Sequence, residues 1–189
     1  MKANKLFSIV PFVALLAYGG YSEFASSEEV STPVENAESN QIFSIGERVP
    51  EIVGRTPSGD TLRLSDLRGK VVYIDFWASW CGPCKATMPQ AVAAYDKYNK
   101  SQFANGENGF TIFSVSLDRN ISSWKKGIED LDQKWPNHVS DLRGWRSNIA
   151  ALYQINAIPT GFLIDGEGKL ISQHLHVGRL EYELEKLKR

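Results

Sequence analysis

Two cysteines, the only ones in 189 residues, stand two residues apart where an apolar run gives way to a helix-like segment. The run is Val71-Val72-Tyr73-Ile74-Asp75-Phe76-Trp77-Ala78, and the pair follows in Trp80-Cys81-Gly82-Pro83-Cys84-Lys85. β-Branched and aromatic residues in an unbroken apolar stretch read as a buried strand, so the cysteines fall at a strand-to-helix junction. Free N–H groups and the positive end of the helix dipole favour negative charge there, lowering the Cys81 pKa from the free value of about 8.5. The spacing alone admits three uses: a reactive thiol pair, two ligands of a metal, or a structural crosslink. A crosslink closing so short a loop removes little entropy from the unfolded chain. A zinc site needs about two further ligands, and there is no other Cys.

The chain has 42% hydrophobic and 23% charged residues, an ordinary globular composition that supports one good-sized core. A net charge of −1 with no basic stripe excludes a nucleic-acid binder. At the N-terminus, Lys2 and Lys5 precede the uncharged stretch from Leu6 to Ser22. Residues 1–22 are therefore expected to be a secretory signal peptide or an uncleaved membrane anchor, since the stretch is only slightly shorter than the roughly 18–20 residues that span a bilayer. Small residues from Gly19 to Ala25 offer cleavage positions, and no Cys follows the apolar centre for lipid attachment. Residues 23–45 are expected to be a flexible acidic tether, because Glu23, Glu28, Glu29, Glu35 and Glu38 stand among Ser, Thr, Asn and Pro with almost nothing to bury. The folded domain is assigned to residues 46–189.

Within it, 52–55 and 61–64 flank Thr56-Pro57-Ser58-Gly59-Asp60 and predict an antiparallel hairpin. The spacing predicts a helix from the cysteine pair to about Lys100 with Met88, Val92 and Tyr95 along one face, and Pro89 kinking it. Residues 110–117, apolar on both faces, read as a central parallel strand. Ser122 or Ser123 is expected to cap a helix carrying Trp124, Ile128 and Leu131, and Ser147 a short helix to Tyr153. A short strand is expected around 138–140. Two strands, 160–165 and 169–175, flank Gly166-Glu167-Gly168 as a hairpin, and a last helix uses Leu180, Leu184 and Leu187. The order is that of an α/β fold with a mixed sheet covered on both faces, and no internal repeat interrupts it.

Asp75 within the apolar strand, Pro89 in the helix, and Ile158-Pro159-Thr160 ahead of a later strand join the cysteine pair in a pattern that resembles the thioredoxin fold. The leading hairpin, the approach Leu64-Ser65-Asp66-Leu67-Arg68-Gly69-Lys70, the extra strand and helix between the two motifs, and Phe162-Leu163-Ile164-Asp165-Gly166-Glu167-Gly168-Lys169 are similar to the exported TlpA/ResA-like branch. The resemblance covers about residues 46–187. It implies a thioredoxin-like mixed sheet flanked by helices, with an N-terminal hairpin and a central strand-helix insertion. It also implies a redox-active disulfide between Cys81 and Cys84, with Cys81 the exposed attacking thiol and Cys84 the resolving one. Asp75, an acid in an apolar strand, carries a desolvation cost and is expected to be buried with a raised pKa. The resemblance gives it the role of accepting or relaying the proton of Cys84, while the lysine that accompanies this acid in thioredoxin is replaced near Ser114. Pro159 resembles the family's cis-proline, and the resemblance implies that it lies against the cysteines, although the sequence itself does not show the cis bond. Trp80, Gly82, Pro83, Ile158 and Pro159 are expected to meet the substrate chain, with Trp80 shielding one side of the disulfide.

The expected function is therefore an exported thiol-disulfide oxidoreductase at the periplasm or outer membrane face. It is expected to act as a reductant, because Gly-Pro between the cysteines is thioredoxin's own pair. Its expected partners are disulfide-bearing client proteins, for example in cytochrome c maturation, and a membrane electron donor. No cofactor and no nucleic acid are expected, and a monomer is. His174 and His176, on one side of the predicted last strand, lack a third ligand and are read as surface residues rather than a metal site. A thiol peroxidase of the same fold lacks support because no Pro-x-x-x-Thr-x-x-Cys stands here, and a copper carrier would space its cysteines by three residues.

Overall fold

The computed structural model describes residues 43–188. The expected signal or anchor, residues 1–22, lies outside the described residues, as does the tether as far as residue 42. Packing of the folded part reaches back to Phe43, three residues before the expected start. Its ring meets Tyr153 edge-on at 5.3 Å and Phe162 at 5.9 Å.

Strands β1 (Val53–Arg55) and β2 (Thr61–Arg63) form the leading hairpin, with Gly59 at φ +97° supplying the left-handed turn. A 3-10 turn at Leu64–Leu67 leads to β3 (Val71–Trp77), which hands over to helix α1 (Gly82–Tyr98). There follow β4 (Phe110–Ser116), α2 (Ile121–Asp130), β5 (His138–Val139), α3 (Asn148–Leu152), β6 (Thr160–Ile164), β7 (Leu170–Gln173) and α4 (Leu180–Leu187). Five strands make one mixed sheet in the order β5-β4-β3-β6-β7. The β3–β4 and β4–β5 pairs are parallel, and the β3–β6 and β6–β7 pairs antiparallel.

Side chains alternate across a strand, and this sorts β3 into two faces. Val71, Tyr73 and Trp77 join a core with Met88 and Ala91 of α1, Trp124 of α2 and Leu184 of α4. Val72, Ile74 and Phe76 join a second core with Ile52, Leu64, Val139, Ile149 and Tyr153, on the side of the hairpin and α3. Asp75 falls by parity on the first face, under α1. Both neighbours of Asp75 in the sheet are small, Ser114 on β4 and Gly161 on β6. A Cβ at Gly161 would lie 2.3 Å from the Tyr73 ring, which occupies the space a side chain there would need.

Several expectations are corrected in detail. The buried face of α1 is Cys84, Met88, Ala91, Ala94 and Tyr98, whereas Val92 and Tyr95 are only half buried, because the side nearest the sheet carries small residues that let the helix approach it. Helix α2 starts earlier than either serine. Asn120 caps it, its Oδ1 accepting from the N–H groups of Ser122 (2.9 Å) and Ser123 (3.0 Å). Ser147 does cap α3, accepting from Ala150 N–H. Strand β7 ends at Gln173, so His174 and His176 do not share a strand face. His174 takes φ +50°, and His176 caps a 3-10 turn with Nδ1 accepting from Gly178 N–H at 3.2 Å.

Candidate active site

The chain leaves the carboxyl end of β3 through Ala78-Ser79-Trp80 and enters α1 at once. Cys81 is the N-cap of that helix, and Gly82 and Pro83 form its exposed first turn, where Pro83 forgoes no helical bond because the first N–H groups have no carbonyl to reach. Cys81 and Cys84 are joined as a disulfide with Cα atoms 5.3 Å apart. The Cys84 N–H points at Cys81 Sγ from 3.1 Å. On reduction that N–H and the helix dipole face the sulfur that would carry the negative charge. Cys81 is less exposed than expected. It is 4% exposed against 1% for Cys84.

Across from the pair lies the Ile158–Pro159 peptide, which is cis. The Ile158 carbonyl oxygen is 3.9 Å from Cys81 Sγ, and Ile158 and Pro159 are half buried just before β6. Beneath, Asp75 is 5% exposed and its Oδ2 has no hydrogen-bond partner among the described residues. Burial pushes its pKa up from 3.8 to about 7. Asp75 and Cys84 line the same recess with Thr87, Met88, Pro159 and Val177, with free space of about 10 Å³, close to what one water needs. The register opposite Asp75 is held by Ser114, so no lysine stands beside the acid from that strand, as the sequence suggests. Tyr73, on the same face, is held neutral by burial and by the nearby Asp75 charge.

The sequence reading missed the other side of the pair. Asp118, 1% exposed, sits just past the carboxyl end of β4. Its Oδ2 accepts from Ser79 N–H (3.0 Å) and Ser116 Oγ (2.7 Å), and its Oδ1 from Ser79 Oγ (2.7 Å). These bonds clamp the loop that presents Cys81. The available signal was position: an acid ending a central parallel strand, where α/β sheets gather their ligands. Beside it opens a cleft of about 460 Å³ walled by Ser79, Trp80, Asp118, Arg119 and Trp145. Trp80 is 52% exposed and its ring stands 6.2 Å from that of Trp145, itself 47% exposed. Among the described residues no group of three or more His, Cys, Asp or Glu side chains is placed to hold a metal ion. No helix among them is long and apolar enough to cross a membrane.

A cysteine pair at a helix start, a cis-proline opposite and a buried acid below, on a five-stranded mixed sheet, define a thioredoxin-fold dithiol–disulfide protein. A family model described as thioredoxin-like matches residues 69–170. The thiol-disulfide oxidoreductase ResA of Bacillus thuringiensis subsp. konkukian is 31% identical over 173 residues, covering 92% of this chain and 89% of its own. ResA of Bacillus cereus is 32% identical over 131 residues, 69% of each chain. Among solved structures, the thioredoxin domain of a thiol-disulfide oxidoreductase from Bacteroides vulgatus superposes with a TM-score of 0.67 at 31% identity, over 78% of this chain and 99% of that one. A thiol:disulfide interchange protein from a Bacteroides species gives 0.66 at 31% identity, over 78% and 92%. The chain belongs to the thioredoxin-like family, and within it to the ResA-like thiol-disulfide oxidoreductases.

Proposed function

We propose that this protein is exported and reduces disulfides in envelope proteins, including those presented during cytochrome c maturation. The observation that carries the mechanism is the pairing of a helix-capping Cys81, faced by the Cys84 N–H, with a buried Asp75 of pKa about 7 in the recess it shares with Cys84. In the reduced protein the Cys81 thiolate attacks a client disulfide, forming a mixed disulfide and expelling one client thiolate, which takes a proton from solvent. Cys84 then gives its proton to the Asp75 carboxylate, directly or through one water, and attacks Cys81 Sγ. The client's second sulfur leaves as a thiolate that takes a proton from solvent, Asp75 returns its proton to solvent, and the protein is left with the Cys81–Cys84 disulfide, two electrons having passed to the client. The backbone at Ile158 and Pro159 and the exposed Gly82-Pro83 turn receive the client chain, with Trp80 at one flank.

Gly-Pro between the cysteines supports the reducing direction, since thioredoxin, with the same pair, lies at about −270 mV and the oxidant DsbA at about −120 mV. Recharging outside the cytoplasm requires a dithiol donor in the membrane. The uncharged N-terminal stretch supports export, either with cleavage or as an anchor for a soluble, monomeric domain. The test is trapping. A Cys84→Ser variant expressed with its N-terminal segment is expected to accumulate clients as mixed disulfides on Cys81, released by dithiothreitol. Export without adducts would refute the proposal, and a potential near −120 mV in a redox-buffer titration would refute its direction.

A further inference from the structure

Three arginines converge beside the reactive loop. Arg119, Arg143 and Arg146 line one recess, and Arg119 also walls the cleft that holds Trp80 and Trp145. All three are exposed. Their meeting is built by the backbone. Gly144 takes φ +59° between Arg143 and Trp145, and a Cβ there would lie 2.7 Å from Arg119 Nε, so the Arg119 side chain lies against a glycine that leaves it room.

None of the three forms an ion pair among the described residues, whereas Lys97, Lys126, Lys134, Lys169, Arg179 and Lys186 each do. The acids nearby are committed elsewhere. Asp118 is buried under its bonds from Ser79 and Ser116, and Asp141 accepts from the backbone N–H groups of Arg143 and Asn148. Arg143 Nη1 donates to the neutral Asn148 Oδ1 at 3.2 Å. The N-terminus of α2, with Asn120 and Ser123 on the cleft wall, adds the positive end of a ten-residue helix. Guanidinium forks match carboxylates, and the exposed indoles of Trp80 and Trp145 match a flat or apolar side chain.

We propose that this cleft selects clients whose chain carries a carboxylate side chain close to the target cysteine, read by Arg119, Arg143 and Arg146 over the Trp80–Trp145 pair. The inference rests on the oxidoreductase reading and names the substrate class of that site. Trp80 directly precedes Cys81, its ring stands 6.2 Å from that of Trp145, and Trp145 directly precedes Arg146, so the guanidinium groups lie within reach of about three to five residues of extended client chain.

The test uses one synthetic peptide sequence with a single cysteine held as a disulfide with 2-mercaptoethanol, and Glu, Gln or Lys four residues away. Each turnover oxidises Cys81 and Cys84 to their disulfide and yields the peptide thiol and 2-mercaptoethanol. For the pre-reduced wild-type protein in single turnover at low salt, the second-order rate constant is expected to be about tenfold higher for the Glu than for the Lys peptide, with most of the difference in the half-saturating peptide concentration. That ratio is expected to fall below about twofold at 0.5 M NaCl. In Arg143→Gln/Arg146→Gln, which leaves the Arg119 packing in place, the low-salt ratio is expected to collapse to about threefold or less. Equal reduction of all three peptides by the wild type, or an undiminished ratio in the double variant, overturns this inference alone. Reduction of none of them overturns the oxidoreductase reading and this one with it. Binding to phosphatidylglycerol vesicles that the double variant loses, with no discrimination among the peptides, would assign the arginines to a membrane surface and overturn it as well.

Discussion

Replacing Asp75 by asparagine is expected to make the oxidised protein more stable at alkaline pH and to slow its chemistry. In the unfolded chain an aspartate ionises near 3.8, while in the folded protein burial holds Asp75 at about 7. Between those values the unfolded state has lost the proton and the folded state still holds it, so stability falls as pH rises. The slope is about 1.4 kcal/mol per pH unit, giving a total of about 4 kcal/mol that is fully lost above pH 7. Below 3.8 both states are protonated and the penalty vanishes. Asparagine is neutral throughout, so the stability of Asp75→Asn relative to wild type should climb by about 4 kcal/mol between pH 4 and pH 8.5. The assay is guanidinium unfolding of both proteins with the disulfide intact, which keeps the cysteines from titrating. Tyr73, whose pKa lies well above 10, does not titrate in this window. His138 titrates equally in both proteins and cancels. Parallel pH profiles would refute the reasoning, because they would mean that Asp75 is not a desolvated acid. On the proposed mechanism the same variant loses its proton acceptor, and release of the client by Cys84 should slow by about 100-fold or more at neutral pH.

His138 is 4% exposed, and burial lowers its pKa from 6.5 to about 4 against a smaller opposing pull from the backbone of Trp135 and Gln133. The unfolded state therefore takes up a proton first as pH falls, costing about 3 kcal/mol between pH 6.5 and pH 4, and His138→Leu should remove that loss from an acid unfolding series. Gly161→Ala puts a methyl group 2.3 Å from the Tyr73 ring in the middle of the sheet and should cost about 3 kcal/mol in urea unfolding. An unchanged midpoint would mean that β6 can move away from Tyr73. Asp118→Ala strips the acceptors from Ser79 and Ser116 and should cost about 2 kcal/mol, with faster hydrogen exchange at Ser79 N–H as the local readout.

What was legible in the sequence was local. The cysteine pair, the acid in its strand and the Ile158-Pro159 step each carry their meaning in a few neighbouring residues, and β3, α1 and the β6–β7 hairpin follow from period and turn chemistry. The buried face of α1 was misjudged because hydrophobic bulk marks a helix face poorly where close packing demands alanine. The cap of α2 was misplaced because Asn120, Ser122 and Ser123 are all competent caps, and only the backbone decides which one turns first. His174 escaped its strand by adopting a left-handed conformation that no pattern signals. The cleft was invisible because Trp80 and Trp145, or Arg119 and Arg146, are brought together only by the tertiary fold.

The edges of the sheet carry a last consequence. Strand β5 is two residues long, and beyond it Ser140 N–H is already taken by the carbonyl of Arg55 at 3.0 Å, with Val139 pressed against Gly54 of the hairpin. Strand β7, at the other edge, is four residues long and irregular in register against β6. Neither edge offers a long row of open backbone groups onto which a foreign strand could zip. A protein whose proposed work is to hold client chains by a sulfur thus offers them no sheet edge to extend, and once the mixed disulfide is resolved the client can leave without growing onto the sheet.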